Sequence, residues 1–248
     1  CTSTSSVTTT LDNTAPSVTI TNDNGLALSC SVPNTTLTAS GGTSYAWSNG
    51  ASAASSGAIT TAGTFTVTVT GSNGCTSTSS ATTTLNNTAP SVTITNNNGL
   101  ALSCSVPNTT LTASGGTSYA WSNGASAASS GAITTAGTFT VTVTGSNGCT
   151  STSSATTTLN NTAPSVTITN NNGLALSCSV PNTTLTASGG TSYAWSNGAS
   201  AASSGAITTA GTFTVTVTGS NGCTATSSAT TTLNNTAPSV TITNDNGL

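Results

Sequence analysis

The sequence predicts an all-β protein, built from short antiparallel sandwich modules in tandem that form an extended rod. Three observations predict it. The segment from Cys1 returns at Cys75, Cys149 and Cys223, a constant period of 74 residues, so the chain is three and a third copies of one unit. Apolar residues alternate with Thr and Ser in short runs, the period of a half-buried strand. Turn signals rich in Gly, Asn and Pro interrupt these runs, and no helical period appears between them.

The second copy shows the elements in order. Ser91–Thr95 (SVTIT) alternates and reads as a strand; Asn96–Gly99 (NNNG) is a turn. Leu100, Leu102, Cys104 and Val106 share one face of the next strand, which Pro107–Asn108 ends. Thr110–Ser114 and Ser118–Ser122 are strands separated by Gly115–Gly116, and Asn123–Gly124 is a hairpin-type turn. Ala125–Ser130 (ASAASS) is weakly patterned, either a short edge strand or a loop, and Ala132–Thr135 is a short strand. Thr138–Thr144 (TFTVTVT) is the clearest strand, with Phe139, Val141 and Val143 on one face. Ser146–Gly148 turns the chain into the last strand, Cys149–Leu159.

Seven or eight short strands with frequent turns fit an Ig-like antiparallel sandwich. A solenoid would need a much shorter coil repeat. The expected boundaries are 1–13 as the end of a preceding repeat, modules at 14–87, 88–161 and 162–235, and 236–248 as the start of the next. The core expected in the first module is Val18, Ile20, Leu26, Leu28, Val32, Leu37, Tyr45, Trp47, Ile59, Phe65, Val67, Val69 and Leu85. Trp121, Trp195, Phe139 and Phe213 repeat the aromatic positions. A module this small buries only about 60% of its unfolded surface, so neighbours or disulfides must support it.

Composition narrows the function. The chain has no Lys, Arg, His or Met, and its only acids are Asp12, Asp23 and Asp245. Charged residues make up 1%, where ordinary domains carry about a quarter. Without cations there is no means of gripping phosphates or anionic lipid, which argues against a nucleic-acid partner. Acid–base catalysis draws on His, Glu, Asp or Lys, and a Cys or Ser nucleophile needs an activating base. No catalytic, cofactor or metal site is expected, and no apolar run is long enough to insert in a membrane. Because the chain opens on Cys1 in mid-repeat, any secretion signal or anchor is expected outside it.

Each repeat carries two cysteines, giving Cys1, Cys30, Cys75, Cys104, Cys149, Cys178 and Cys223. Their spacing matches no zinc pattern. They are disulfide candidates and imply an oxidising, extracytoplasmic setting. Free buried thiols are the alternative to bridging, and two pairings remain open: within a repeat, as Cys30–Cys75, or between repeats, as Cys30–Cys149 and Cys104–Cys223.

The run Tyr45-Ala-Trp47-Ser-Asn-Gly50, then Ala62-Gly-Thr-Phe65-Thr-Val-Thr-Val-Thr70, then Asn73-Gly-Cys75-Thr, resembles the Ig-like/PKD-like repeats of Bacteroidota surface proteins, especially the SprB-type gliding-motility adhesins. Cys30 and Leu37-Thr-Ala-Ser-Gly-Gly42 fit the same pattern. Where those repeats often place Asp before Asn-Gly-Cys, this chain has Gly71-Ser72. The resemblance implies type IX export, a cell-surface location and a role in adhesion or gliding.

Sharper readings of single residues are weaker. Tyr45 and Trp47 suggest a glycan platform, but a tryptophan there ordinarily fills an Ig-type core. Asp23 suggests calcium, but its equivalents are Asn97 and Asn171, and calcium sites need several oxygen ligands. The Thr64–Thr70 run suggests an ice-binding face, against the ordinary reading of solvent-facing strand threonines.

The function expected is structural: the repeat region of a long extracellular surface adhesin or filament. Its partners would be neighbouring repeats, laterally associated copies and an unidentified surface or glycan receptor. Two alternatives are a self-assembling multi-chain filament or sheath subunit, and a passive spacer for a domain elsewhere. Strand edges without charge invite association, so the edges are expected to be covered by neighbours, glycans or lateral chains.

Overall fold

The computed structural model describes residues 1–243. Asp245 lies outside the described residues. Every regular element among them is a strand. The first repeat contains β1 (Thr19–Asn22), β2 (Ala27–Ser29), β3 (Thr35–Ser40), β4 (Ser44–Trp47), β5 (Ser55–Ile59), β6 (Gly63–Thr70) and β7 (Thr76–Asn86). The second repeats this order as β8 (Thr93–Asn96), β9 (Ala101–Ser103), β10 (Thr109–Ser114), β11 (Ser118–Trp121), β12 (Ser129–Ile133), β13 (Gly137–Thr144) and β14 (Thr150–Asn160). The third has β15 (Thr167–Asn170), β16 (Ala175–Ser177), β17 (Thr183–Ser188), β18 (Ser192–Trp195), β19 (Ser203–Ile207), β20 (Gly211–Thr218) and β21 (Thr224–Asn234).

By contacts the chain forms two compact units. The first comprises Cys1–Thr95, Thr112–Ser130 and Phe139–Ser154; the second comprises Asn96–Leu111, Gly131–Thr138 and Ala155–Leu248. The first repeat therefore lies wholly in the first unit, and β15–β21 wholly in the second.

In the first unit, β1-β3-β5 make one sheet and β2-β7-β6-β4 the other. The third repeat has the same orders, β15-β17-β19 and β16-β21-β20-β18. These are all-β sandwich modules in tandem, with the Ig-like arrangement of three strands against four. The sheets are antiparallel except at one place. β2 runs parallel to the end of β7, with Ala27 opposite Thr84 and Ser29 opposite Asn86. The pair β16 and β21 repeats it.

The core follows from strand alternation. Leu28, Leu37, Ala39, Trp47, Ile59, Val67 and Val69 are buried together, and Val18, Ile20, Leu26, Val32, Tyr45 and Phe65 pack around them half-buried. Trp121 and Trp195 are buried like Trp47, and Phe139 and Phe213 are half-buried like Phe65.

Two expectations are corrected. Leu85 is 39% exposed. It has the inward parity of β7, but Thr83 is the last buried position of that face, and Leu85 falls beyond it at the strand end. Cys104 is not on a core face: β9 stops at Ser103, and Cys104 stands exposed on the following turn.

In the weakly patterned segment, residues 51–54 and 125–128 are loop, and only its last two serines open a strand, β5 in the first repeat, which is bulged. In the first repeat Thr36 pairs with Ala58 but Thr38 pairs with Ser55, so Ser56 and Gly57 together oppose Leu37. The Leu37 amide, left without a ladder partner, donates to the buried Ser56 Oγ at 3.0 Å. The Ser56 hydroxyl in turn donates a hydrogen bond to the Gly57 carbonyl at 2.8 Å. Gly57 takes φ 71°, a value that a Cβ disfavours. The bulge explains why the sequence pattern breaks here: a serine occupies a buried position because backbone, not side chain, needs satisfying.

Candidate functional site: the junction between repeats

Two disulfides bridge consecutive repeats. Cys30 joins Cys149 with Cα atoms 5.0 Å apart, and Cys104 joins Cys223 at 4.9 Å. Both separations are normal for a bridge. Of the two pairings that the sequence leaves open, the structure contains the one between repeats. The topology of a single sandwich explains it. β2 lies parallel against the far end of β7, so Cys30, just after Ser29, sits near Asn86. Cys75 precedes the near end of β7, ten residues back. At 3.3 Å per residue that is about 30 Å away, far outside bridging distance.

Each junction is built from two tight loops. On one side, Ser29 and Val32 bond mutually, amide to carbonyl at 2.8 and 3.2 Å. This presents Cys30 and Ser31 at the tip of the turn that closes β2. On the other side, the Gly145 amide donates to the Cys149 carbonyl and the Gly148 amide to the Gly145 carbonyl, closing the hairpin between β13 and β14. Gly148 has φ 78°. A Cβ there would meet the Ser31 Cβ at 2.6 Å. At the second junction, Gly222 faces Ser105 at the same distance. Glycine is thus required twice over, for the turn and for the approach of the neighbour.

Asn147 ties the parts together. Its backbone carbonyl accepts from the Ser31 amide at 3.1 Å and from the Ser31 hydroxyl at 3.3 Å. Its side-chain amide donates at 2.9 Å to the Thr88 carbonyl, where its own repeat begins, and at 3.3 Å to the Asn86 carbonyl, where the preceding one ends. Its side-chain oxygen accepts from the Cys149 amide. Asn221 repeats the whole set with Ser105, Thr162, Asn160 and Cys223. The neighbour covers the sulfur: Cys149 and Cys223 are each 3% exposed, whereas Cys75 is half-buried. Cys1, Cys75 and Cys178 carry free thiols. The sequence marks Asn147 and Gly148 only as parts of a turn, and Ser31 only as a strand position. Their linking role comes from a partner one repeat away.

The other candidate residues do structural work. Trp47 Nε1 donates to the Ala53 carbonyl, and the Tyr45 hydroxyl donates to the Gly42 carbonyl at 3.0 Å. Both rings belong to the core and its border, so no aromatic platform faces outward there. Asp23 Oδ1 accepts from the Thr36 amide and the Thr35 hydroxyl. The Thr36 amide, helped by Thr35 and opposed by partial desolvation, holds its carboxyl below the ordinary range. Asn97 Oδ1 and Asn171 Oδ1 make the same two contacts. The position is therefore a turn clamp that needs an oxygen and not a charge. Among the described residues no cluster of His, Cys, Asp or Glu could hold a metal ion. An open groove recurs three times. In the first unit one copy, about 540 Å³, lies between Pro90, Gly116 and Asn147. Its walls offer amide, hydroxyl and backbone hydrogen bonds.

This architecture defines a class: tandem Ig-like β-sandwich repeats joined by disulfides. No family model matches the chain, and no curated protein matches it. Solved structures do. The chain is similar to a calcium-stabilised adhesin with which an Antarctic bacterium reaches out and binds ice. That match has 19% identity and a TM-score of 0.56, over 90% of this chain and 75% of the other. It is also similar to a 1.5-MDa bacterial ice-binding adhesin, at 16% identity and a TM-score of 0.46, over 91% of this chain and all of the other. A tetra-tandem repeat from the extending region of a large adhesion protein matches at 19% identity and a TM-score of 0.28, over 91% and 76%. The first of these likenesses is one of fold.

Proposed function

We propose that this chain is repeat structure from a long extracellular bacterial surface adhesin or filament, giving reach and multivalent attachment. The observation that carries the reading is the pair of bridges between consecutive repeats. The second repeat is held on both sides, through Cys104 to the repeat after it and through Cys149 to the repeat before it. Such a device serves an array rather than an isolated domain. Disulfides persist in oxidising surroundings, which supports an extracellular location. A surface of Thr, Ser and Asn without positive charge suits a stalk exposed to solvent. The fold shared with an adhesin that reaches out from its cell supports the same role. The resemblance to SprB-type repeats extends the proposal to a gliding-motility adhesin exported by the type IX route.

Negative-stain imaging of the purified, oxidised chain tests the reading. Single thin threads are expected. Multi-chain fibres would replace it with a self-assembling filament.

A further inference from the structure

The two bridges interlock in sequence. Cys104 lies inside the loop closed by Cys30–Cys149, and Cys149 lies inside the loop closed by Cys104–Cys223; each bridge spans 119 residues. A loop longer than the repeat period makes this overlap unavoidable. A bridge inside each repeat would instead give separate, unlinked loops.

We infer that the overlap is a mechanical device, a covalent tension path that limits how far the array can be drawn out even when its sandwiches unfold. The shortest covalent route along the chain runs from Cys1 to Cys30, across to Cys149, back to Cys104, across to Cys223 and on to Leu248. It contains about 100 residues and stretches to roughly 350 Å. The whole chain of 248 residues would stretch to roughly 850 Å once unlinked. Residues 31–103 and 150–222 lie off this route. They hold most of the first and third sandwiches, among them Leu37, Trp47, Val67, Leu185, Trp195 and Val215. When the route is taut these segments carry no tension, and their unfolding adds no length. They are free to refold when the load falls.

The junction geometry favours this role. Cys149 and Cys223 are buried against the neighbouring repeat, while their partners Cys30 and Cys104 are exposed and leave the bridges open to added reductant. The loops that hold them are cross-bonded through Ser31–Asn147 and Ser105–Asn221. In any array that continues the pairing, bridges alternate with segments such as Cys149–Cys178. Two such routes then run side by side, each with about 30 residues of chain for every two repeats. This inference concerns connectivity and stands whether the array serves an adhesin or a filament.

Single-molecule stretching of the 248-residue chain, with inert handles fused at both ends, tests it. The oxidised chain should reach a limit of about 100 residues, and reductant should release it to about 250. Replacing Cys30→Ser together with Cys149→Ser should set the limit near 130 residues, as should Cys104→Ser with Cys223→Ser. All four replacements should abolish the effect of reductant. Equal limits before and after reduction would overturn the inference. So would a limit near 200 residues for the Cys30→Ser, Cys149→Ser variant, the mark of bridges within repeats. The reading on unmodified chain needs no variant to fold, and the limit itself is measured on unfolded protein.

Discussion

Asn147 serves two repeats at once, its side chain binding its own Thr88 and its carbonyl the Ser31 of the preceding copy. The adjoining Gly148 has both the left-handed turn and the neighbour's serine to accommodate, whereas a Cβ on the equivalent Gly74 meets nothing within 4 Å. The two glycines therefore separate turn strain from junction packing. Gly74→Ala should cost only the left-handed penalty, about 1 kcal/mol, and leave bridging intact. Gly148→Ala should in addition lower the yield of Cys30–Cys149 several-fold. Non-reducing peptide mapping after refolding in a glutathione buffer reads the difference, and equal yields would contradict the packing argument. Asp23 allows a second test at this scale. Its carboxyl is held below its ordinary pKa, chiefly by the Thr36 amide. Its contribution to stability is therefore full above the unfolded value of 3.8 and is lost as pH falls through the lower folded value. Thermal melts should show a small loss below about pH 4. Asp23→Asn, which copies Asn97 and Asn171, should remove that loss and lower neutral-pH stability by the same small amount, the part that the charge contributes.

Two strands govern the module. β7 is long enough to put Cys75 and the Cys30 turn at opposite ends, and β2 fixes that turn by lying parallel to its far end. β5 shows how the edges are managed. It is five residues long and bulged, and the other edge strands of the first repeat, β1, β2 and β4, have four, three and four. Short and bulged edges blunt strand addition without charge, where the sequence alone points to coverage by neighbours, glycans or lateral chains. The strand ends also delimit the core. Leu37 is fully buried in β3, while Leu85 is 39% exposed at the end of β7. Leu37→Ala should destabilise the first repeat by about 2–5 kcal/mol. Leu85→Ala should cost under about 1 kcal/mol. Urea denaturation compares them, and equal losses would restore Leu85 to the core.

In the whole chain, stability divides between sandwich cores and covalent links. In the chain-entropy view a bridge closing 119 residues contributes about 5 kcal/mol. Reduction should therefore lower the melting temperature and leave the β-sheet circular-dichroism signal at ambient temperature, because each sandwich keeps its own core. Loss of that signal on adding reductant would mean that the repeats depend on their links to fold. The chain's period, its turns and most of its strands are legible in the residues, since each is a local property. Alternation in Thr138–Thr144 marks a strand by itself, and Asn-Gly pairs mark turns by themselves. The bulge at Ser56 is not legible, because a buried serine resembles a solvent-facing one until the Leu37 amide is placed beside it. The oxidising setting and the two cysteines of each repeat likewise follow from composition and spacing. Which cysteines join does not. That choice belongs to the tertiary structure, where the parallel β2–β7 pair carries Cys30 to the end of the sandwich away from Cys75, within reach only of the next copy.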